Sequence, residues 1–147
     1  MRVAPDGSAW LLLTWGLGGL LGNLAAGALA TRLTLASAAA PMLLSASLAV
    51  TAYAVGVPML AVGIVVWGIA FSMMPVTTQL WVARAEREHT ESAMGLQVTA
   101  FQAAITAGSA AGGALVDGHG VTAALALGAV VAVVSGIGFA VLRAPRA

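Results

Sequence analysis

Long runs without a charged side chain constrain this chain more than any other feature of its sequence. The longest run extends from Leu33 to Ala83, 51 residues without Asp, Glu, Lys or Arg. One α-helix of that length would measure about 75 Å, far more than the roughly 30 Å hydrocarbon core of a bilayer. The run therefore predicts two membrane-spanning helices. We place the turn between them at residues 56–58 (Gly-Val-Pro), because glycine suits a helix end and proline a helix start.

Composition agrees with a membrane protein and excludes several functions. Of the 147 residues, 61% are hydrophobic and 7% are charged, whereas about a quarter of the residues of a soluble domain are charged. The net charge of +1 argues against a nucleic-acid partner. No cysteine and only two histidines are present, so we expect no metal site and no cofactor. Because no hydrolytic triad and no phosphate-binding loop occurs, we also expect no enzymatic activity.

The other uncharged runs complete a set of five predicted spans. We expect an all-α fold, a polytopic membrane bundle of five transmembrane helices that forms one domain over residues 1–147. The predicted spans are residues 8–30, 37–55, 58–82, 93–116 and 121–142. Residues 84–91 (RAEREHTE) are predicted to form a solvated loop, and residues 117–120 (DGHG) a short turn.

The arginines predict how the bundle is oriented in the membrane. Only Arg2 would lie at one end of the five-helix bundle, and the other five arginines would lie at the opposite end. These five are Arg32, Arg84, Arg87, Arg143 and Arg146. Positively charged loops are enriched on the cytoplasmic side. We therefore expect a multi-pass protein of the cell (inner or plasma) membrane, with its N-terminus outside and its C-terminus in the cytoplasm.

Side-chain amides are confined to the first, third and fourth spans, and the fourth also carries regularly spaced polar and small residues. In the fourth span they recur every three or four residues and so share one helix face: Gly95, Thr99, Gln102, Thr106, Ser109 and Gly113. Asn23 lies in the first span and Gln79 in the third. Since a polar group in lipid is costly unless it is paired or hydrated, we expect these three spans to border a water-filled cavity. Spans two and five would then face lipid.

Seven residues are candidates for lining that cavity, and four glycines are candidates for helix packing. The cavity candidates are Asn23, Trp67, Met74, Gln79, Thr99, Gln102 and Thr106; the packing candidates are Gly18, Gly22, Gly108 and Gly112. Small residues four apart allow two helices to approach closely. For the three amides, cavity lining and packing between helices both remain open from the sequence. Trp67 and Met74 suit either an apolar binding pocket or the filling of a gap between helices.

Two segments resemble members of the major facilitator superfamily, in particular its drug and sugar-efflux proton antiporters. Residues 15–23 (WGLGGLLGN) with 27–32 (GALATR) resemble the eighth helix and the cytoplasmic loop that follows it. Residues 101–117 (FQAAITAGSAAGGALVD) resemble the eleventh helix. The resemblance covers the whole chain as helices eight to twelve of a twelve-helix fold. It implies efflux of an unidentified small molecule, coupled to proton exchange.

The resemblance also has two departures. The family's cytoplasmic loop carries an aspartate before its arginine, whereas this chain has Thr31 before Arg32, which is the only remnant of that motif. Helices one to seven have no counterpart in the sequence. Because substrate lies between the two halves of this fold, we expect a fragment that needs an N-terminal transporter half as its partner and is inactive alone. The alternative is a non-transporting membrane module that packs against or regulates partner helices.

Overall fold

Five long α-helices make up the part of the chain that the structure describes. The structure, a computed structural model, describes residues 5–142 and 144, with side chains from residue 9 onward. The helices are α1 (Pro5–Ala28), α2 (Leu33–Ala52), α3 (Val57–Ala85), α4 (Thr90–His119) and α5 (Val121–Leu142), with a 3₁₀ turn at Ala30–Arg32. No strand occurs in these ranges, so the predicted all-α, five-helix fold is confirmed. Arg2, Arg143 and Arg146 lie outside the described residues.

Four of these helices are long and apolar enough to cross a membrane. The spans that meet both criteria are Ala9–Ala28, Ala30–Ala52, Val57–Ala85 and Val121–Leu142. The fifth helix, α4, has 30 residues and thus a length of about 45 Å. It fails only the hydropathy criterion. The residues of its polar stripe lower the mean hydropathy of the helix; they are Gly95, Thr99, Gln102, Thr106, Ser109 and Gly113. Its crossing of the bilayer stays a prediction.

Glycines with a positive φ lie at two helix boundaries, one before α3 and one after α4. Gly56 (φ 93°) precedes α3, and Pro58 follows in the first turn of that helix. The connection between α2 and α3 is residues 53–56, so it lies earlier than the predicted turn at residues 56–58 and shares only Gly56 with it. Gly120 (φ 83°) is the single residue between α4 and α5. The predicted turn at residues 117–120 is therefore too long. Residues 117–119 stay helical, and the Gly120 N–H donates to the Val116 carbonyl at 3.0 Å.

The charged segment is shorter as a loop than the sequence predicted. Because α3 continues to Ala85 and α4 begins at Thr90, only residues 86–89 lie between helices. Glu86 orders this loop: its Oε1 accepts the backbone N–H groups of Glu88 (3.2 Å) and His89 (3.1 Å). Arg84 is helical and half-buried rather than part of a solvated loop.

The packing order places α2 inside the described bundle. It lies against both α3 and α5, while α1 packs along α3. Small side chains permit this double contact, and Ala36, Ser37 and Ala40 are all 0–1% exposed. Leu35, Met42 and Leu43 on α2 are exposed, so the expectation that the second span also faces lipid stays a prediction. One core cluster, Ala26, Ala40 and Met73, joins α1, α2 and α3.

Two hydrogen bonds gather the connections at one end of the bundle. The Arg84 guanidinium donates to the carbonyl oxygen of Ala30 at 2.8 Å and so ties the end of α3 to the α1–α2 connection. The backbone N–H of Ala144 donates to Thr34 Oγ1, also at 2.8 Å. The ends of α1, α3 and α5 therefore lie together, and neighbouring helices alternate in direction.

Candidate functional site

The closest helix contact is the glycine seam between α1 and α3. Gly18, Gly22 and Gly68 are all buried there. A Cβ atom on Gly18 would collide with the Val65 carbonyl oxygen, and one on Gly22 would collide with that of Ile69. Only glycine permits backbone to approach backbone so closely. Gly18 and Gly22 thus lie directly against α3.

The fourth helix has two different faces. Gln97 and Phe101 are half-buried, and their spacing of four residues places both on the face of α4 that is directed toward the other helices. The polar stripe lies on the other side: Thr106 is nine residues, or two and a half turns, from Gln97. No residue of α4 is buried. The stripe therefore points away from the four packed helices.

Residues of the stripe are exposed, and the hydroxyl protons of its two threonines are used within the helix. Thr99 Oγ1 donates to the Gly95 carbonyl at 2.9 Å, and Thr106 Oγ1 donates to that of Gln102 at 3.0 Å. Such bonds to the helix's own backbone satisfy the hydroxyl donors but leave lone pairs outward. The Gln102 side-chain amide is exposed and forms no hydrogen bond with the residues that the structure describes. This face thus offers the threonine hydroxyl oxygens as hydrogen-bond acceptors, and the Gln102 amide as both donor and acceptor.

One interhelical hydrogen bond sets the register of α4 against α3. Gln97 Nε2 donates to Thr78 Oγ1 at 3.2 Å. Because the two helices are antiparallel, Gln102 lies five residues beyond this bond and Met73 five residues before it. Both residues are therefore about 7.5 Å from the bond along the helix axes. The Gln102 amide lies at about the depth of the α1–α2–α3 core cluster.

Asn23 and Gln79 are exposed and do not touch Gln102. Asn23 precedes Ala26 of the core cluster by three residues, about 4.5 Å along α1. Gln79 follows Thr78 directly and so lies nearer the charged loop. No hydrogen bond joins these amides to each other within residues 9–142. Asn23 and Gln102 thus lie at similar depth, Gln79 lies nearer the charged loop, and the described helices form no hydrogen bond among the three amides.

The aromatic face of α3 packs in part against its neighbours. Phe71 contacts Trp15 of α1 with ring centroids 6.2 Å apart, and Trp81 contacts Phe139 of α5 edge-on at 5.1 Å. Met74 is half-buried and packs against the core cluster. Trp67 is half-buried as well. These surroundings fit the filling of gaps between helices at Met74, and they leave the role of Trp67 open.

Three candidates have no close neighbour from another helix. A Cβ added at Gly108 or Gly112 would meet nothing within 4 Å of the described chain, so the structure shows no packing partner for this line of α4. Arg32 is exposed at the end of the 3₁₀ turn. Packing at Gly108 and Gly112 stays a prediction that requires a helix beyond these five.

Sequence reasoning missed two residues with clear structural roles. The role of Gln97 could have been predicted from its spacing, because it precedes Phe101 by one turn on the face of α4 opposite the polar stripe. Arg84 gave no such signal, because its partner is a backbone carbonyl 54 positions away. Only the packing of α1 along α3 brings the two together.

Comparison with known proteins identifies the family. The family model described as Major Facilitator Superfamily matches residues 2–147. The chain belongs to the major facilitator superfamily. With four apolar spanning helices, this superfamily member is a multi-pass membrane protein. No solved structure matches it significantly.

Similar curated proteins are efflux pumps from enteric bacteria. The chain is 34% identical over 124 residues to the purine ribonucleoside efflux pump NepI of Salmonella paratyphi B (strain ATCC BAA-1250 / SPB7). It is 33% identical over 124 residues to the pumps of the same name from Escherichia coli (strain K12) and Shigella flexneri. Each match covers 83% of this chain but only 31% of the relative. The superfamily member thus spans about a third of the length of these relatives.

Proposed function

We propose that these five helices form one wall of a transporter that exports a small molecule. The observation that carries the proposal is the polar face of α4, which is exposed and lies opposite the face that meets the other helices. In this superfamily substrate passes between two halves of the fold. An exposed polar face on a membrane helix is costly in lipid but stable beside water. Facing a central aqueous path would stabilise it.

The substrate class that we propose is that of purine ribonucleosides and related polar aromatic molecules. The relatives' name supports this class. The chemistry of the wall agrees with it, because Gln102, Asn23 and Gln79 carry both donors and acceptors for a base or a ribose. Trp67 supplies an aromatic surface at the third helix. These residues would bind the substrate and orient it.

Proton exchange is the proposed driving reaction, and transport needs helices beyond these five. The described parts of α1–α5 place no carboxylate in the apolar middle of a helix; Asp117 lies near the end of α4. We therefore assign the coupling proton to residues supplied by the rest of the fold. The open line at Gly108 and Gly112 would receive one of those helices. In the proposed orientation, the end that carries Arg32 and Arg84 faces the cytoplasm.

A chimera tests the transport role. The 124 matching residues of the Escherichia coli pump are replaced by those of this chain, and efflux of a radiolabelled purine ribonucleoside from cells is measured. We expect efflux that stops when a protonophore removes the proton gradient. Gln102→Leu should abolish it at unchanged abundance in the membrane. Gln97→Leu is the matched contrast, because its amide binds Thr78 and its loss should lower abundance.

Two results would contradict the proposal. Loss of abundance with Gln102→Leu would make this amide a packing residue and favour the alternative, a membrane module that binds partner helices. The observation that favours this alternative is the glycine line at Gly108 and Gly112, where an added Cβ would meet no described residue within 4 Å. Saturable, gradient-driven flux by the purified chain alone in liposomes would contradict the need for further helices.

A further inference from the structure

Two arginines from different helices lie together where α1, α2 and α3 meet. The Arg84 guanidinium donates to the Ala30 carbonyl oxygen at 2.8 Å, and Arg32 is the last residue of the same 3₁₀ turn. Residues two apart in a 3₁₀ helix are separated by about 4 Å along its axis. The charge of Arg84 is therefore fixed beside the backbone of Arg32 and within reach of its side chain.

Neither of these charges is neutralised by a carboxylate among the residues that the structure describes. Glu86 is the nearest acid in the sequence, but it serves the α3–α4 loop. Its Oε1 accepts the backbone N–H groups of Glu88 and His89 and lies 3.6 Å from His89 Nδ1. Within the described residues, Arg32 and Arg84 form no ion pair. Because two nearby positive charges repel each other, an anion between them would stabilise this end of the bundle.

Hydrogen-bond donors remain available on both arginines. Arg84 uses Nη2 for the Ala30 carbonyl, whereas a guanidinium carries five N–H donors in a planar fork. Arg32 is exposed, and its side chain forms no hydrogen bond with the described residues. It is also the N-cap residue of α2 and provides no side-chain cap there, so the dipole of α2 adds positive potential. This set of donors suits a phosphate group, which guanidinium groups bind through paired hydrogen bonds.

The depth of the two arginines favours a lipid as the source of that phosphate. Arg32 lies near the start of one apolar span, Ala30–Ala52, and Arg84 near the end of another, Val57–Ala85. Lipid phosphates lie at this level, where the hydrocarbon core ends. Leu35 is three residues beyond Arg32, on the same side of α2, and its side chain is 54% exposed. It offers an apolar contact that an acyl chain can use and a soluble phosphate cannot.

From this geometry we propose that Arg32 and Arg84 bind the phosphate of an anionic membrane lipid. Arg84 is already oriented by its bond to Ala30, which lowers the cost of ordering the site. Arg32 approaches the phosphate from the exposed side, and an acyl chain lies against Leu35. The bound lipid links the end of α3 to the α1–α2 connection. The proposal does not depend on the proposed transport function, because it requires only that α2 and α3 span the membrane.

Native mass spectrometry of the full chain in detergent tests the proposal by counting bound dioleoylphosphatidylglycerol as the lipid is titrated. We expect one saturable site with a clear preference over dioleoylphosphatidylcholine, which has the same phosphate but no net charge. Arg32→Gln should weaken binding about fivefold, as expected for one arginine near a membrane surface. Arg2→Gln is the matched control, because Arg2 precedes the opposite end of α1; it removes the same charge and should leave binding at this site unchanged.

A second variant and a soluble competitor complete the test. Arg84→Gln should also weaken binding, and circular dichroism checks that both variants fold; Arg32 is exposed and without described contacts, so its variant is decisive if Arg84→Gln unfolds. Glycerol 3-phosphate carries the phosphate without acyl chains and should not displace the lipid. Equal weakening by Arg32→Gln and Arg2→Gln, equal affinity for the two lipids, or displacement by glycerol 3-phosphate would each overturn the proposal.

Discussion

Replacing Gly22 by alanine should strongly destabilise the contact between α1 and α3. The added Cβ would meet the Ile69 carbonyl oxygen and, at 2.9 Å, its Cα. Both are backbone atoms that cannot rotate away, and overpacking of this kind costs about 1–3 kcal/mol. Gly27 lies on the same helix with nothing within 4 Å of its own added Cβ. Alanine there should stabilise the helix by about 0.5–1 kcal/mol.

The two variants should thus differ by about 1.5–4 kcal/mol, which is at least tenfold in the unfolding equilibrium. Titration with SDS in mixed micelles measures this difference. Tryptophan fluorescence reports it, because Trp15 lies beside the seam, 6.2 Å from Phe71. If Gly22→Ala proved as stable as Gly27→Ala, the close backbone contact that we describe would be refuted.

Three further predictions concern the Arg84–Ala30 hydrogen bond, the proposed transport wall and the orientation in the membrane. Arg84→Ala should speed amide hydrogen exchange around residues 29–33, because a partly buried, charge-assisted bond worth about 1.5–3 kcal/mol is lost; the exposed Arg32→Ala should not. The chain contains no cysteine, so Thr106→Cys in the chimera should react with a water-soluble maleimide, whereas Leu127→Cys on α5 should not; equal reactivity would contradict an aqueous wall. In intact cells the same reagent should label Tyr53→Cys but spare Arg32→Cys, and the reverse pattern would invert the proposed orientation.

The helices themselves could be predicted from sequence because the constraint is strong and local. Uncharged runs of bilayer length leave few alternatives to helices, and Gly56 with Pro58 marks a boundary by backbone chemistry alone. The end of α4 was harder. Asp117 and Gly118 are common in turns, but the helix continues through both, because one glycine at position 120 suffices to reverse the chain.

Positions of helices relative to one another could be predicted only in part. Gly18 and Gly22 carry a recognisable spacing and do lie at a close contact. Gly108 and Gly112 carry the same spacing, yet an added Cβ there would meet no described residue within 4 Å. Glycines spaced four residues apart indicate that another helix can pack closely at that position, but they do not identify which helix does so. For the same reason the sequence did not identify α2 as the helix that packs against both α3 and α5. The alanine-rich surface of α2 carries no amide or charged side chain, yet it packs against two other helices.

The one-residue connection at Gly120 limits how α4 can move. A helix joined to its neighbour by a long loop is free to slide along its own axis, but α4 has no slack with which to do so. Sliding by one turn would drag the start of α5 by about 5.4 Å. Swinging is different, since it needs only rotation about the backbone torsions of one glycine. Any motion that opens or closes the polar face of α4 is thus expected to be a tilt with its pivot at Gly120.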